Sequence, residues 1–205
     1  PLVLVHGAFS TSAAWAPLLP HLADGLRIIT PDSRGHGRST NPGGALSYAR
    51  LADDVAALAA ALGLERPVVG GYSDGGQVTL ELGARHPGVA GALIVGAALP
   101  QLDLIRPSLE AFLGADEAGT PDVEAVDATF GPSAETLRSW HPGGDAQWRR
   151  LVADTAPMWL DYEGLTPEAL RAIEAPALAV GGDRDDELAP LDAVTALYRA
   201  LPIGE

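Results

Sequence analysis

Apolar residues along the chain follow two alternating patterns, and together these predict a parallel α/β fold. Short apolar runs alternate with segments whose apolar residues recur at helical spacing. Such alternation is typical of a mostly parallel, doubly wound sheet with helices on both faces. Five buried strands are predicted, at residues 2–5, 27–30, 67–70, 92–95 and 177–180.

Helices are predicted between these strands from their periodicity and their end signals. The clearest spans residues 47–62, because Ser47 suits an N-cap, its apolar residues share one face, and Gly63 ends it. Thr166 followed by Pro167 suits the N-cap and first turn of a short helix. Further helices are expected at residues 13–23, 74–85 and 191–201.

The alternation breaks down between residues 100 and 164. This stretch has scattered Pro and Gly, no clear strand, and three of the four tryptophans. We interpret it as a mostly helical cap, or lid, inserted into one discontinuous core domain formed by residues 1–99 and 165–205. Its tryptophans either fill a small core within the cap or line a pocket, and Trp140 and Trp159 are the pocket candidates.

Composition narrows the classes of partner. Lys plus Arg total 13 and Asp plus Glu total 27, so the net charge is −14, which disfavours nucleic-acid binding. No apolar run is long enough to cross a bilayer. The absence of cysteine excludes disulfides, thiolate chemistry and Cys-ligated zinc, and is compatible with the cytoplasm, where we expect the protein. A small molecule is the expected partner, and the oligomeric state stays open.

The strongest chemical signal is the run Gly71-Tyr72-Ser73-Asp74-Gly75-Gly76, which follows an apolar strand and opens a helix. A serine on such a sharp turn adopts a strained backbone conformation, and the flanking glycines let the strand and helix approach closely. The helix N-terminus behind it favours developing negative charge. The motif therefore indicates Ser73 as a nucleophile, with a purely structural glycine turn as the alternative.

Two further segments fit the same chemistry. The turn His6-Gly7-Ala8-Phe9 follows the first strand, so the Ala8 amide can point at the same place as the Asp74 amide and form an oxyanion hole with it. Gly182-Asp183-Arg184-Asp185 follows the last predicted strand. The order Ser and then Asp along the chain is that of the α/β-hydrolase triad, in which His comes last.

At these motifs the chain resembles α/β-hydrolase-fold enzymes, most closely the branch of small bacterial esterases and cofactor-free haloperoxidases. The resemblance implies that Ser73 is the nucleophile, that Asp185 rather than Asp183 is the triad acid, and that no metal or organic cofactor is needed. Ala8 and Asp74 would supply the oxyanion amides, and Phe9 and Tyr72 would join the pocket. The matching segments are Val5–Gly7, Asp32–Ser39, Gly71–Gly76, His86–Pro87 and Gly182–Asp185.

The histidine of the expected triad is the main departure from this resemblance. Relatives usually carry two antiparallel strands before the first strand here, and a further strand and helix after the last, with the histidine between them. We therefore expect a chain truncated at both ends, whose catalytic histidine lies beyond Glu205. Of the five histidines, His6 is expected to brace its loop, and His141 is the only candidate to reach the pocket as a substitute base.

These features predict a serine hydrolase that cleaves a carboxylic ester or a related lactone, thioester or amide. A C–C bond hydrolase or a perhydrolase would use the same residues, and a non-catalytic binding or scaffold protein of the same fold is the alternative from another class. The side chain of Asp74 has two readings: it binds a cationic group of the substrate, or it forms a salt bridge to an arginine.

Overall fold

A five-stranded parallel sheet forms the centre of the computed structural model, which describes residues 1–22, 24–185 and 187–202. The strand order is β2-β1-β3-β4-β5, and every pairing is parallel. The parallel α/β architecture predicted from the apolar runs is confirmed. The strands are β1 Leu2–Val5, β2 Ile28–Ile29, β3 Val68–Tyr72, β4 Ala92–Gly96 and β5 Ala177–Val180.

Four helices of the core lie between or after these strands. Of these, α2 packs against β1, β3 and β4, and also against α1 and α7, while α8 packs on β5. Ser47 caps α1, since its hydroxyl accepts a hydrogen bond from the Arg50 amide at 3.2 Å, as its sequence position predicts. The helices are α1 Tyr48–Ala61, α2 Asp74–Arg85, α7 Pro167–Arg171 and α8 Leu191–Ala200.

The helix predicted at residues 13–23 is wrong. Two short 3₁₀ helices, Ser12–Trp15 and Leu19–His21, occupy this segment instead. Pro17 and Pro20 explain the difference, because each removes an amide donor and clashes with the preceding turn of an α-helix. Ala23 lies outside the described residues.

Residues 100–164 are helical, as the sequence suggested. A 3₁₀ turn at Asp103–Ile105 leads into four helices that pack on one another, with α3 against α4 and α6. The division of the chain at residues 100 and 164 stays a prediction. The helices are α3 Arg106–Leu113, α4 Val123–Phe130, α5 Ser133–Ser139 and α6 Gly144–Leu160.

Phe9 joins these helices to the sheet. Its side chain is fully buried, and its ring lies between 5.6 and 6.1 Å from four aromatic rings of the segment 100–164. Aromatic side chains of the segment 100–164 thus pack against the loop that follows β1 and hold it in place. The four partners are Phe112, Phe130, Trp148 and Trp159.

A helix that crosses a bilayer needs about 20 consecutive, mostly apolar residues. In the part of the chain that the structure describes, no helix is both long enough and apolar enough to do so.

Candidate active site

Ser73 occupies a strained turn between β3 and α2. Its backbone has φ 56° and ψ −124°, a region that residues other than glycine rarely adopt and that costs roughly 1–3 kcal/mol. Hydrogen bonds hold the turn from both sides, since the Ser73 amide donates to Gly96 O at 2.9 Å and its carbonyl accepts from Gln77 N at 3.0 Å. The surrounding sheet and helix therefore impose this conformation.

The glycines of the motif make this close approach possible. A Cβ added to Gly75 would collide with the carbonyl group of Val5 in β1, and one added to Gly71 would collide with the carbonyl group of Gly75. Both obstacles are backbone atoms of packed elements, which cannot move away cheaply. The strand-to-helix turn thus depends on backbone packing across three segments.

A cavity of about 450 Å³ opens beside Ser73. The structure brings nearly all of the predicted site residues to its wall, although Trp140 is not among them. Trp140 is half-buried at the C-terminal end of α5, and Leu137 of the same helix takes the cavity-facing position. The predicted residues that line the cavity are Ala8, Phe9, Tyr72, Ser73, Asp74, Trp159 and Asp185.

Asp74 is the most unusual member of this wall. Its carboxylate accepts a hydrogen bond from Tyr48 Oη at 2.7 Å and from Trp159 Nε1 at 2.9 Å. The salt bridge to an arginine is wrong, since no ion pair of Asp74 occurs among the described residues. Burial, which two neutral donors offset only in part, raises the pKa of Asp74 to about 6.

We call Asp74, Tyr48 and Trp159 the Asp74 network. It joins α1, the turn at Ser73 and α6 through a single carboxylate. Tyr48 is buried and lines the cavity, yet sequence reasoning missed it. A second chain of hydrogen bonds, also missed, runs behind it from Gln77 Nε2 to Tyr162 Oη at 2.9 Å and from Tyr162 Oη to Glu81 Oε1 at 2.8 Å.

Asp185 lines the cavity from the loop after β5. It is half-buried, and its Oδ1 accepts hydrogen bonds from the amides of Leu188 and Ala189, each at 3.1 Å. Asp183 is exposed and does not line the cavity. The loop therefore brings Asp185, and not Asp183, to the cavity wall, and the role of Asp185 as the triad acid stays a prediction. Asp186, a third acid of this run, lies outside the described residues.

The two amides predicted for the oxyanion hole both belong to cavity-lining residues. Neither the Ala8 amide nor the Asp74 amide donates a hydrogen bond to any residue that the structure describes. Phe9, which follows Ala8, has φ 57°, so the loop after β1 turns sharply at this point. Its fully buried ring anchors that turn.

His6 is the one histidine that lines the cavity in the described ranges. Both of its ring nitrogens are occupied, since Nδ1 lies 2.8 Å from Gly7 O and Nε2 accepts from the Ser33 amide at 2.9 Å. With Nε2 as an acceptor, the hydrogen-bond network assigns the proton to Nδ1. Burial lowers the pKa of His6 to about 4. Its ring braces the loop, as the sequence predicted.

His36 and His141 extend from His6 into a histidine cluster, the name we use for these three residues. The rings of His6 and His36 are 4.9 Å apart, and those of His36 and His141 are 6.1 Å apart. Burial lowers the pKa of both, and their Nε2 atoms are buried without a hydrogen-bond partner in the described part of the chain. His141 does not line the cavity, so the structure gives no support to it as a substitute base.

Three features, the parallel sheet, the strained turn at Ser73 and the cavity beside it, are those of an α/β-hydrolase fold. Comparison with families of known proteins agrees, since residues 2–203 match the model described as the alpha/beta hydrolase family. The chain belongs to that family.

Individual relatives show how widely this family's chemistry varies. The chain is 36% identical to a bifunctional esterase/perhydrolase of Acinetobacter calcoaceticus, over 94% of this chain and 76% of the relative. It is 32% identical to a non-heme haloperoxidase of Rhodococcus erythropolis, over 93% and 76%. A thermophilic esterase from Thermogutta terrifontis has a similar structure, with a TM-score of 0.74 and 25% identity over all of this chain and 79% of the esterase.

Proposed function

We propose that this protein is a serine hydrolase that cleaves a carboxylic ester or a closely related acyl bond, with Ser73 as the nucleophile. The observation that carries the proposal is the strained backbone of Ser73 beside a cavity of about 450 Å³. A serine that only filled a turn would gain nothing from this strain, whereas a nucleophile gains exposure toward its substrate.

In the proposed mechanism, Ser73 Oγ attacks the carbonyl carbon of a small-molecule ester, and its proton passes to a histidine. The amides of Ala8 and Asp74 stabilise the negative charge on the carbonyl oxygen. The C–O bond of the ester then breaks, the alcohol leaves with that proton, and water cleaves the resulting acyl-enzyme. Asp185 orients the histidine. Because His6 is occupied at both nitrogens, we assign the base to a histidine outside residues 1–205.

Replacement of Ser73 in the full-length protein tests this proposal. Ser73→Ala should lower kcat for simple aryl esters by about 10⁴–10⁶-fold, by analogy with triad knockouts. A fluorophosphonate probe should label the wild type on the peptide that contains Ser73 and leave the variant unlabelled.

Ser133→Ala, at an exposed serine of α5, is the matched control and should keep both activity and labelling. Hydrolysis by Ser73→Ala at more than a tenth of the wild-type rate would contradict the assignment. Absence of labelling and of turnover in the wild type would favour a binding or scaffold protein instead.

Perhydrolysis is a second candidate, favoured by the relative from Acinetobacter calcoaceticus that carries out both reactions. The same Ser73 acyl-enzyme would pass its acyl group to hydrogen peroxide instead of water and form a peracid. Peracid formation from an ester and peroxide, measured beside hydrolysis, distinguishes the two reactions.

A further inference from the structure

The carboxylate of Asp74 is buried in the wall of the cavity without a positive partner. The residue is 8% exposed, and its two donors, the Tyr48 hydroxyl and the Trp159 indole, are both neutral. Buried carboxylates in proteins are nearly always paired with a cation or protonated. A missing cation beside the nucleophile therefore needs a chemical explanation.

One oxygen of this carboxylate keeps most of its capacity to accept hydrogen bonds. Oδ1 accepts from Tyr48 and Trp159, whereas Oδ2 has only the longer contact to the same Trp159 Nε1, at 3.1 Å. A carboxylate offers about four lone-pair sites. Asp74 is one of the residues that line the cavity, so a molecule bound there is the nearest candidate partner for these unused sites.

The remaining charges of the cavity are also negative. The described residues that line it include the carboxylates of Asp74 and Asp185 but no arginine or lysine. His6 adds no positive charge near neutral pH, because burial lowers its pKa to about 4. In a cavity whose other walls are mostly apolar, these carboxylates favour a cation over a neutral group or an anion.

We propose that Asp74 is a specificity-determining residue that binds a primary ammonium group on the acyl part of the substrate, next to the scissile carbonyl. This rests on the proposed function, and it narrows the substrate class to esters of amino acids. The ammonium donates to Oδ2, while Tyr48 and Trp159 hold the carboxylate in place. Asp74 directly follows Ser73, so the ammonium sits a few bonds from the carbonyl that Ser73 attacks.

The ionisation of Asp74 fits such a ligand. Burial raises its pKa to about 6 in the absence of a cation. A bound ammonium group places a positive charge beside the buried carboxylate of Asp74 and so favours the ionised form of that carboxylate. The same positive charge also offsets the repulsion between the carboxylate and the oxyanion that forms nearby.

Matched pairs of esters test the proposal in the full-length protein. Benzyl 2-aminopropanoate is compared with benzyl 2-methylpropanoate, and benzyl 3-aminopropanoate with benzyl butanoate, so that a methyl group replaces the ammonium in each pair. The wild type should prefer the ammonium ester of at least one pair by about 10–100-fold in kcat/KM, the range of a hydrogen bond to a charged group. Asp74→Asn should abolish that preference.

The ratio within each pair is the diagnostic quantity, because any general effect of the substitution near Ser73 acts on both esters. Glu81→Gln is the matched control. It removes a buried carboxylate of the same helix that accepts from Tyr162 at 2.8 Å and does not line the cavity. This variant should keep the wild-type ratio.

A binding measurement separates the two proposals. Calorimetry with the same four esters and Ser73→Ala requires no turnover, and the ammonium ester should bind at least 10-fold more tightly than its isostere. Adding Asp74→Asn should remove that difference. Hydrolysis or binding that is indifferent to the ammonium, or a preference that survives in Asp74→Asn, would overturn the role of Asp74. If the wild type hydrolysed none of the four esters, or did so equally well as Ser73→Ala, while the binding preference was preserved, only the proposed function would be overturned.

Discussion

The Asp74 network and the histidine cluster connect the same two parts of the molecule in opposite ways. Each joins loops at the ends of the strands to the helical segment 100–164, through Trp159 in the first and through His141 in the second. Asp74 accepts hydrogen bonds from two donors, Tyr48 and Trp159, whereas two imidazole nitrogens of the cluster are buried without a described partner. The first connection is therefore made by hydrogen bonds to a carboxylate, and the second by ring packing around nitrogens without partners.

Burial favours the neutral form of the titratable groups in both regions, but it changes the free energy of unfolding with pH in opposite directions. It raises the pKa of the Asp74 carboxyl and lowers the pKa of each imidazole in the cluster. A fall in pH therefore destabilises the fold through the histidine cluster, where protonation creates a buried charge. The same fall in pH stabilises the fold through Asp74, where protonation removes one. The two connections can be separated by measuring the free energy of unfolding as a function of pH.

The largest effect is expected for His6. Its pKa is about 4 in the folded protein and 6.5 ordinarily, so below pH 6.5 the unfolded chain takes up the proton first. The contribution of His6 is fully present above pH 6.5 and is lost as the pH falls toward 4. Between pH 7.5 and 4.5 the free energy of unfolding should fall by about 2–3 kcal/mol more in the wild type than in His6→Gln. Urea titrations at a series of pH values measure this difference.

His21→Gln, at an exposed histidine, serves as the control and should follow the wild-type curve. Parallel curves for the wild type and His6→Gln would show that His6 is not held neutral by burial.

A slightly smaller effect of opposite sign is expected for Asp74. Its pKa is about 6 in the folded protein and 3.8 ordinarily, so the folded state holds the proton more tightly between these values. Stability is then highest below pH 3.8 and falls as the pH rises through 6. Relative to Asp74→Asn, the wild type should lose about 2 kcal/mol between pH 4.5 and 7.5. Asp161→Asn, at an exposed carboxylate, keeps Asp74 and should lose stability over this range as the wild type does. If the wild type instead gained stability relative to Asp74→Asn, a cation would pair with Asp74 in the folded protein.

The smallest effect is expected for Tyr48→Phe. The variant keeps the ring and removes only the hydroxyl that donates to Asp74 at 2.7 Å. One donor fewer to a buried carboxylate should cost about 1–2 kcal/mol at neutral pH, visible as a lower Tm, and should raise the pKa of Asp74 further. Tyr198→Phe, at a tyrosine that is 45% exposed, is the matched control. Equal Tm values for the two variants would mean that the Tyr48 hydroxyl adds nothing to stability and that Trp159 is the donor that stabilises the Asp74 carboxylate.

The strands and helices of the core could be predicted because their positions depend on signals within a few residues of sequence. The helix α2 begins and ends where glycine, serine and helical periodicity placed it, and α7 begins at Pro167 after its Thr166 cap. The α-helix predicted at residues 13–23 failed for a local reason as well, because Pro17 and Pro20 each disrupt an α-helix.

Neither polar connection could be predicted in this way. Tyr48 meets Asp74 across 26 residues of sequence, and Trp159 meets it across 85. Contacts at such separations depend on how helices stack on the loop at Phe9, and no local period encodes that stacking. Trp140 illustrates the limit, since its residue type suggested a pocket position that Leu137 holds instead.

The position of β1 in the sheet has a consequence for the timing of folding. β1 lies between β2 and β3, and Leu2 pairs with Val68, which follows it by 68 − 2 = 66 residues. A ribosome that adds about 5–20 residues per second synthesises this interval in roughly 3–13 s. For those seconds the apolar segment Leu2–Val5 lacks its central neighbour β3, and the turn that holds Ser73, which follows β3, has not yet been synthesised. The nascent chain therefore exposes an apolar strand for some seconds, which favours non-native association, before the geometry around Ser73 can form.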